Sequence, residues 1–318
     1  MITRLTRILV LFQIAIAFAV SLMAIRVFHV QSVALAAALG LGAVLLVRLL
    51  ITANNFFMAW RYHSETPASL RLDWRRACRL FAGEFMATMG SSSWTMPFHR
   101  FNKRPAKHPA GLPVLLIHGY ACNSGYWHSL SKVLAREHIT HHAVDLEPVL
   151  AGIDDYVPLV QAAVDTLCDE SGHDKVVIVA HSMGGIVARA YLRVQGSARV
   201  AKVITLGSPH RGTGLANHAI GLNSQQVRWI GSASNGAPCE WLRELEKTED
   251  DERRALFLSI YSHHDNIISP QISSSMSGAR NIAFHGIGHV ALALDPVIQA
   301  QVVEEIHAVS RKYLTPAA

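Results

Sequence analysis

Residues 175–185 have the sequence Lys175-Val-Val-Ile-Val-Ala-His-Ser-Met-Gly-Gly185, and this stretch decides the fold. Its first half is a β-branched apolar run, which predicts a buried strand, and the residues after Ser182 have helical composition. A serine held between a strand and a helix lies in a strained turn, so the positions two before and two after it must be small. Ala180 and Gly184 meet this requirement. The stretch therefore predicts a nucleophile elbow, with alanine in place of the usual first glycine.

Around the elbow, apolar runs of strand length alternate with segments of helical periodicity. We predict strands at residues 112–117, 140–144, 175–180, 200–206, 256–262 and 281–284. We predict helices at residues 124–136, 155–169, 183–194 and 296–313, the last with Asp295 as its N-cap. Near-continuous apolar strands separated by helices indicate an α/β fold with a mostly parallel, doubly wound sheet covered on both faces. This domain is expected to span residues 111–318.

Three residues in the order serine, acid, histidine are candidates for a catalytic triad. A serine hydroxyl is a weak nucleophile unless a base takes its proton, and that base must be oriented by a third group. Asp265 and His289 each follow a predicted strand, and parallel strands present their carboxyl ends at one edge of a sheet. We expect Ser182 to be the nucleophile, His289 the general base and Asp265 the acid that orients it. Glu240 and Asp295 are alternative acids, although Asp295 is better used as a helix cap.

Acyl transfer at a serine also requires N–H donors for the tetrahedral oxyanion. The Met183 N–H follows the nucleophile at a helix start, and the Tyr120 N–H lies in the loop after the first predicted strand. An ordinary tight turn is the alternative interpretation of that loop. Because the chain has 18 histidines, a core or surface role is the default for most of them. Further residues expected to contact the substrate are His118, Gly119, His181 and His210.

Several segments resemble, in order and spacing, the small bacillus-type lipases of the α/β-hydrolase fold. The segments are Pro113-Val-Leu-Leu-Ile-His-Gly119, Val179-Ala-His-Ser-Met-Gly-Gly185, Val203-Ile-Thr-Leu-Gly207, Ser259-Ile-Tyr-Ser262 followed by Asp265, and Gly278-Ala-Arg-Asn281 through Gly286-Ile-Gly-His289. Those lipases also carry alanine before the nucleophile. The resemblance implies ester hydrolysis of the triacylglycerol lipase type with no cofactor. It also implies Ser182, Asp265 and His289 as the triad, with Tyr120 and Met183 as oxyanion donors.

The chain departs from the small lipases in an insertion at residues 212–254. The insertion places Trp229, Ile230, Trp241 and Leu242 among polar residues. A lid over the site explains such aromatics, because an apolar cover can exchange protein contacts for lipid. A solvated helical excursion is the alternative.

The second departure is a pair of apolar runs at residues 8–25 and 33–51, each near the length of a membrane-spanning helix. The second run reaches residue 51 only if Arg48 extends its guanidinium toward the membrane surface. A cleavable signal peptide is the alternative interpretation of the first run. Arginines are denser after the second run than in the turn between runs, which predicts a cytoplasmic position for the rest of the chain. We therefore expect a multi-pass protein of the inner (cytoplasmic) membrane, with residues 1–52 as its membrane region.

Residues 53–110 are expected to be a juxtamembrane linker with helices at 54–62 and 70–85. Their aromatic and arginine residues suit helices that lie along a bilayer surface, where Trp94, Phe98 and Phe101 would also anchor. The alternative is that these apolar residues cap the core of the following domain. Helical periodicity alone does not separate the two.

Composition excludes several other classes of function. The net charge of +6 owes much to arginines near the apolar runs, where they either set topology or bind anionic lipid, and no nucleic-acid module is present. Cys78, Cys122, Cys168 and Cys239 form no C-x-x-C pair, so they indicate neither a disulfide framework nor a metal knuckle. His138, His141, His142 and Asp145 cross from a helix end into a strand, and their spacing does not favour a metal site.

These observations predict a membrane-tethered serine hydrolase that cleaves carboxylic esters of acyl-chain or lipid substrates. The bilayer and the substrate are the expected partners, and no obligatory protein partner is indicated. Acyl transfer or thioester hydrolysis with the same triad is an alternative, since an acyl-enzyme can be resolved by water, an alcohol or a thiol. A catalytically silent membrane scaffold with a hydrolase fold is the alternative from another class.

Overall fold

The strand that precedes Ser182 lies in the middle of a seven-stranded sheet in the computed structural model, which describes residues 1–314. The strands are β1 (Lys103–Arg104), β2 (Val114–Ile117), β3 (His141–Val144), β4 (Val176–His181), β5 (Val200–Leu206), β6 (Trp229–Ile230), β7 (Ala237–Pro238), β8 (Phe257–Ser262) and β9 (Arg280–Phe284). The sheet order is β1-β3-β2-β4-β5-β8-β9, with β6 and β7 forming a separate antiparallel pair. All neighbours in the main sheet are parallel except β1 on β3, so the predicted mostly parallel sheet is confirmed.

Helices alternate with strands between residues 128 and 195, and one long helix follows the last strand. The helices are α1 (Ile2–Arg26), α2 (Val33–Arg61), α3 (Trp74–Gly90), α4 (Met96–Phe98), α5 (His128–Arg136), α6 (Val157–Ser171), α7 (Met183–Gln195), α8 (Leu222–Gln225), α9 (Glu240–Lys247), α10 (Asp251–Ala255) and α11 (Pro296–Leu314). A π-helical turn, Ser91–Thr95, joins α3 to α4. Residues 315–318 of the predicted domain lie outside the described part of the chain.

Two apolar clusters cover the two faces of the sheet. Alternate side chains of β2 enter different clusters, Leu115 and Ile117 on one face and Val114 and Leu116 on the other. The first cluster includes α6 and α7, and the second includes α5 and α11. Because both faces are covered, every residue of β4 is buried, which explains the uninterrupted apolar run before the elbow.

Local signals placed the final helix correctly, but they missed the first strand. The Asp295 carboxylate accepts hydrogen bonds from the Val297 and Ile298 N–H groups at 2.9 and 3.2 Å, as an N-cap does. By contrast, β1 is a two-residue strand, paired antiparallel with β3, in a segment whose prolines predict a linker. Both residues of β1 are exposed, so no apolar alternation marks it.

α1 and α2 pack against each other and are long and apolar enough to cross a membrane, by length and composition. The most apolar stretch of 18 residues has a mean hydropathy of 2.7 in α1 and 2.4 in α2. α2 continues without a break to Arg61, so the separate helix predicted at 54–62 is wrong and no structural boundary falls at residue 52.

The end of α2 and the segment that follows it contact the α/β domain. The Ser269 hydroxyl donates to the Ala59 carbonyl at 2.6 Å, and the Ser64 N–H donates to Gln271 Oε1 at 3.0 Å. Phe101 is 7% exposed and belongs to the domain core, so it is not an interfacial anchor. Trp94 and Phe98 are exposed at 59% and 51%, as interfacial side chains would be. Phe101 therefore follows the alternative interpretation, in which it caps the core, and the interfacial position of Trp94 and Phe98 stays a prediction.

Candidate active site

The backbone at Ser182 has the strained geometry that the small flanking residues predict. Ser182 has φ 55° and ψ −129° between β4 and α7, in a region that non-glycine residues rarely adopt. A Cβ at Gly184 would lie 2.5 Å from the Ile117 carbonyl oxygen, so only glycine lets α7 begin this close to β2. The backbone of Gly119 also lies close to the serine, since a Cβ at Gly119 would lie 2.8 Å from Ser182 Cβ.

A buried acid–histidine pair lies beside this serine. His289 Nδ1 donates to Asp265 Oδ2 at 2.8 Å, which leaves Nε2 as the unprotonated ring nitrogen. Asp265 Oδ1 accepts from the N–H groups of Ile267 and Ile268 at 2.8 and 2.7 Å, so the carboxylate is held on both oxygens. Ser182 and His289 line the same cavity. The alternative acids lie elsewhere, Glu240 at the start of α9 and Asp295 at the N-cap of α11.

The electrostatic environment favours the protonated imidazole at His289. Burial lowers the pKa of His289, but the charge and hydrogen bond of Asp265 and the charge of Glu84 outweigh burial, so the pKa is raised above its ordinary value. A raised pKa stabilises the imidazolium that forms when a histidine takes a proton from serine. The arrangement therefore suits general base catalysis.

In the described part of the chain, the N–H groups of both predicted oxyanion donors lack an acceptor within a helix or strand. Met183 is the first residue of α7, where a helix offers no acceptor for the N–H. Tyr120 lines the cavity, and within residues 1–314 its N–H donates to no protein acceptor. The next residue, Ala121, has φ 53°, so this loop is strained beside the serine.

His181 and Gly119 line the cavity, whereas His118 does not. His118 Nδ1 donates to the Gly119 carbonyl at 2.8 Å, and Nε2 accepts from the Leu146 N–H at 3.0 Å. Burial lowers the pKa of His118, which agrees with a neutral ring. Its role as a substrate contact is corrected, because both ring nitrogens are used to hold the loop that carries Tyr120.

His210 is also displaced from the expected position. It lies in a different cavity, beside Arg189 and Glu249, and its ring contacts Thr205 Oγ1 through Nε2 at 3.1 Å. Its carbonyl accepts from Arg189 Nη1 at 2.7 Å. The default role of a core histidine therefore describes His210, and the predicted substrate contact is wrong.

The side chain of His181 supports the loop that carries His289. His181 Nε2 donates to the His289 carbonyl at 3.1 Å, and the ring lies 4.6 Å from that of His289 and 4.5 Å from that of Tyr126, measured between centroids. Burial and the adjacent His289 hold the pKa of His181 well below its usual range. His181 therefore stays neutral beside the candidate general base.

Part of the cavity wall comes from residues 88–96, from the end of α3 to the start of α4, which the sequence did not predict. The cavity measures about 280 Å³, and residues that line it around Ser182 and His289 include Ala121, Tyr126, Ile267 and Val290. The N-terminal segment adds Thr88, Ser91, Ser92 and Met96. No helical periodicity identifies these four as facing a site in another domain.

The lid interpretation of residues 212–254 is not supported. Among the described residues, none of this insertion lines the cavity. Leu242 and Leu245 of α9 are buried with α7, and Arg189 pairs with Glu249 at 2.6 Å. The insertion contacts residues that line the cavity from behind, since the Ile220 carbonyl accepts from the Tyr120 hydroxyl at 2.8 Å and the Thr213 hydroxyl donates to the Ile267 carbonyl at 2.6 Å. Leu242 and Leu245 thus serve to pack α9 against α7.

Glu84 is a residue near the site that sequence analysis missed. It is 1% exposed in α3 and accepts from the N–H groups of Val290 and Ala291 at 2.9 and 3.0 Å. The available signal was its spacing, because Glu84 follows Leu80 by four residues and shares the buried face of the helix.

His141 and Asp145, two of the residues compared with a metal site, contact separate partners. His141 Nε2 contacts Ser131 Oγ at 2.7 Å, and Asp145 pairs with Arg100 at 2.5 Å. Within residues 1–314 no group of three or more histidine, cysteine or acidic side chains is arranged to hold a metal ion. The four cysteines are free thiols.

Comparisons with known proteins agree with this architecture. Residues 113–229 match the family model described as alpha/beta hydrolase fold. GPI inositol-deacylase of Candida albicans is 25% identical over 192 residues, which cover 52% of this chain and 41% of that protein. Triacylglycerol lipase of Pseudarthrobacter phenanthrenivorans is 28% identical over 113 residues, covering 33% of this chain and 35% of that protein. The chain thus spans less than half the length of these curated relatives.

Solved structures show the same fold at low sequence identity. The mature form of a Bacillus licheniformis lipase is 16% identical, with a TM-score of 0.55 over 66% of this chain and 97% of that chain. Aspergillus fumigatus lipase B is 17% identical, with a TM-score of 0.51 over 62% of this chain and 52% of that chain. The protein therefore has the α/β-hydrolase fold, and part of its sequence is similar to a triacylglycerol lipase.

Proposed function

We propose that this protein is a membrane-tethered serine hydrolase that cleaves carboxylic esters through an acyl-enzyme on Ser182. The observation that carries the proposal is the strained Ser182 turn, which shares a cavity with a buried His289–Asp265 pair. A scaffold without activity would have no need to keep a strained serine beside an oriented base.

In the proposed mechanism, His289 Nε2 takes the proton of the Ser182 hydroxyl while Ser182 Oγ attacks the ester carbonyl carbon. The Tyr120 and Met183 N–H groups would stabilise the oxyanion. Collapse of the tetrahedral intermediate breaks the bond to the alcohol, which leaves with the proton from His289. A water molecule then gives a proton to His289 and attacks the acyl carbon. The second tetrahedral intermediate collapses as its bond to Ser182 Oγ breaks, His289 returns the proton to that oxygen, and the carboxylic acid is released. Asp265 keeps the imidazole in the required tautomer throughout. The residues and backbone N–H groups named here supply every step, so we propose no cofactor.

An acyl chain is the proposed substrate group. The surface of the cavity around Ser182 is mainly apolar, and part of its wall belongs to the segment that follows the two candidate membrane helices. The names of the relatives, a GPI inositol-deacylase and a triacylglycerol lipase, agree with an ester substrate of a lipid. Trp74, Trp94 and Phe98 are exposed near this segment and suit an interfacial position.

We also propose that α1 and α2 span the inner membrane and leave the hydrolase domain in the cytoplasm. The bias of arginines toward the segment after α2 supports this orientation, because positively charged flanks stay on the cytoplasmic side. Acyl transfer and thioester hydrolysis remain alternatives for the same acyl-enzyme, and the products formed with added alcohol or thiol distinguish them.

A fluorophosphonate probe tests the proposed nucleophile. In the full chain solubilised in detergent, we expect the probe to label the wild type and to leave Ser182→Ala unlabelled, since the probe reacts with activated serines. Ser234→Ala is the matched control, because Ser234 is an exposed serine of the insertion and should not affect labelling. Absence of labelling in folded wild-type protein, with a control hydrolase labelled in parallel, would show that the enzyme proposal is wrong.

A further inference from the structure

A buried carboxylate from outside the α/β domain holds the turn that follows the candidate general base. Glu84 Oε1 accepts from the Val290 N–H at 2.9 Å, and Oε2 accepts from the Ala291 N–H at 3.0 Å. These N–H groups begin the short helical turn Val290–Ala293, immediately after His289. Both oxygens accept backbone protons, which is the hydrogen-bonding pattern of an ionised carboxylate.

The loop before His289 is shaped around this carboxylate. A Cβ at Gly288 would lie 2.5 Å from Glu84 Oε2, so the glycine makes room for the acid. On its other side, the His289 N–H donates to Asn266 Oδ1 at 2.9 Å, and its carbonyl accepts from His181 Nε2 at 3.1 Å. The backbone of His289 is therefore held by contacts from the domain, and the next two residues are held by Glu84.

Two acids face His289, and the charge of each raises the pKa of this histidine. Burial raises the pKa of Glu84 above its ordinary value, whereas its hydrogen bonds from Val290 and Ala291 and the charge of His289 act to lower it. His289 faces Asp265 after β8, His181 at the end of β4 and Glu84 in α3. Glu84 also lies near Tyr126, which in turn lies near Cys122. Burial holds the pKa of His181 well below its usual range, raises the pKa of Tyr126 well above its own, and raises the pKa of Cys122 to about 12. These three groups are neutral, so Asp265 and Glu84 are the neighbours whose charge acts on His289.

Contacts between α2 and α3 connect Glu84 to the candidate membrane region. The rings of Phe56 in α2 and Phe81 in α3 are 5.6 Å apart between centroids. The Arg48 guanidinium of α2 donates to the Ser92 hydroxyl, which lies just after α3 and lines the cavity. The position of α3, and with it the position of Glu84, therefore depends on the docking of α2.

We propose that Glu84 is a positioning residue for His289, through which the segment that follows the membrane helices completes the active site. This proposal rests on the proposed function, because it assigns Glu84 to the support of the same general base. Glu84 itself does not line the cavity and touches no reacting atom. It acts by holding the Val290–Ala291 turn and by its negative charge.

The variant Glu84→Gln tests both parts of this role in the full chain in detergent. The glutamine side chain has no negative charge, and its NH2 group would face a backbone N–H that it cannot accept. We therefore expect kcat on a short p-nitrophenyl ester to fall about 100-fold, as for a misplaced catalytic group, with KM little changed. The acid limb of the kcat/KM profile should move to lower pH, because the imidazolium of His289 loses a negative neighbour. Glu65→Gln is the matched control, since it removes an exposed carboxylate from the same region and should change neither quantity.

The pH midpoint separates positioning from a purely structural role. Glu84→Gln with a lower kcat but an unchanged acid limb of the kcat/KM profile would overturn the proposal. Glu84→Gln with both the kcat and the acid-limb midpoint of the wild type would also overturn it. Glu84→Asp keeps the charge but shortens the reach, so it should keep the midpoint near that of the wild type while kcat falls. If Glu84→Gln does not fold by circular dichroism, the aspartate variant decides by the same two readouts. Fluorophosphonate labelling of the wild type tests the proposed function separately, so failure of Glu84 alone leaves Ser182 labelled.

Discussion

Replacing Asp265 with asparagine should remove the tautomer that the proposed mechanism requires while leaving the fold almost unchanged. Asp265 Oδ1 accepts the Ile267 and Ile268 N–H groups, and the amide oxygen of asparagine can keep both bonds. Oδ2 accepts His289 Nδ1–H at 2.8 Å, and there asparagine presents an NH2 group instead. Two donors cannot pair, so the ring would place its proton on Nε2, which then cannot accept the proton of Ser182.

The size of the effect follows from that loss. An asparagine that leaves the geometry intact but inverts the histidine tautomer lowers kcat about 10⁴-fold in a comparable triad. At about 1.36 kcal/mol per tenfold change, this corresponds to roughly 5 kcal/mol of transition-state stabilisation. Stability should change by only about 1 kcal/mol, because one buried hydrogen bond is altered and two are kept. The negative charge of Asp265 also raises the pKa of His289, so the acid limb of any residual activity should move to lower pH.

The assay is hydrolysis of a short p-nitrophenyl ester by the full chain in detergent, with thermal unfolding measured in parallel. Asp295→Asn is the matched control, because asparagine also caps helices and Asp295 lies outside the site. Asp265→Asn with more than about a tenth of the wild-type kcat would refute the assignment of Asp265. In the wild type, kcat/KM should fall as pH drops through a His289 pKa above the ordinary histidine value, since the base must be neutral to act.

Two further predictions concern the cavity wall and the membrane topology. Thr88→Phe should shift the preference toward short acyl esters by about tenfold or more in relative kcat/KM, because the ring would fill part of the roughly 280 Å³ cavity. Met86→Phe enlarges an exposed residue of the same helix and should leave the chain-length profile unchanged, and equal profiles for both variants would contradict the assignment of the wall. A reporter phosphatase fused after the hydrolase domain should be inactive in the bacterial periplasm, with a fusion in the turn between α1 and α2 as the active control. Activity of the first fusion would contradict the cytoplasmic orientation.

The α/β domain was predictable because its signals are local. β4 is buried on both faces and appears as an uninterrupted apolar run, and α11 begins at an aspartate cap followed by proline. Asp265 and His289 were found from their places after predicted strands, and the structure brings them within 2.8 Å of each other. The assignments of His118 and His210 failed because proximity to a motif in sequence does not specify where an imidazole points.

The sequence left two interpretations of the insertion open for a related reason. Its aromatic and aliphatic residues were consistent with a lid, and composition does not say whether an apolar side chain faces a substrate or a helix. Packing decided the matter, since Leu242 and Leu245 are buried against α7. Conversely, nothing in the periodicity of residues 88–96 indicated that they would form part of a cavity around Ser182.

The sequence by itself determined the parallel sheet, the strained serine turn and the candidate triad. These depend on steric limits and apolar periods that act over a few residues, together with the rule that parallel strands end at one edge. Only the tertiary structure revealed the cavity wall from the N-terminal segment and the contact of Glu84 with Val290, which lies 206 residues further along the chain. Contacts of this kind depend on how two surfaces that are distant in sequence pack together. Docking is set by the shape and charge of both surfaces at once, and no local pattern in either segment encodes it.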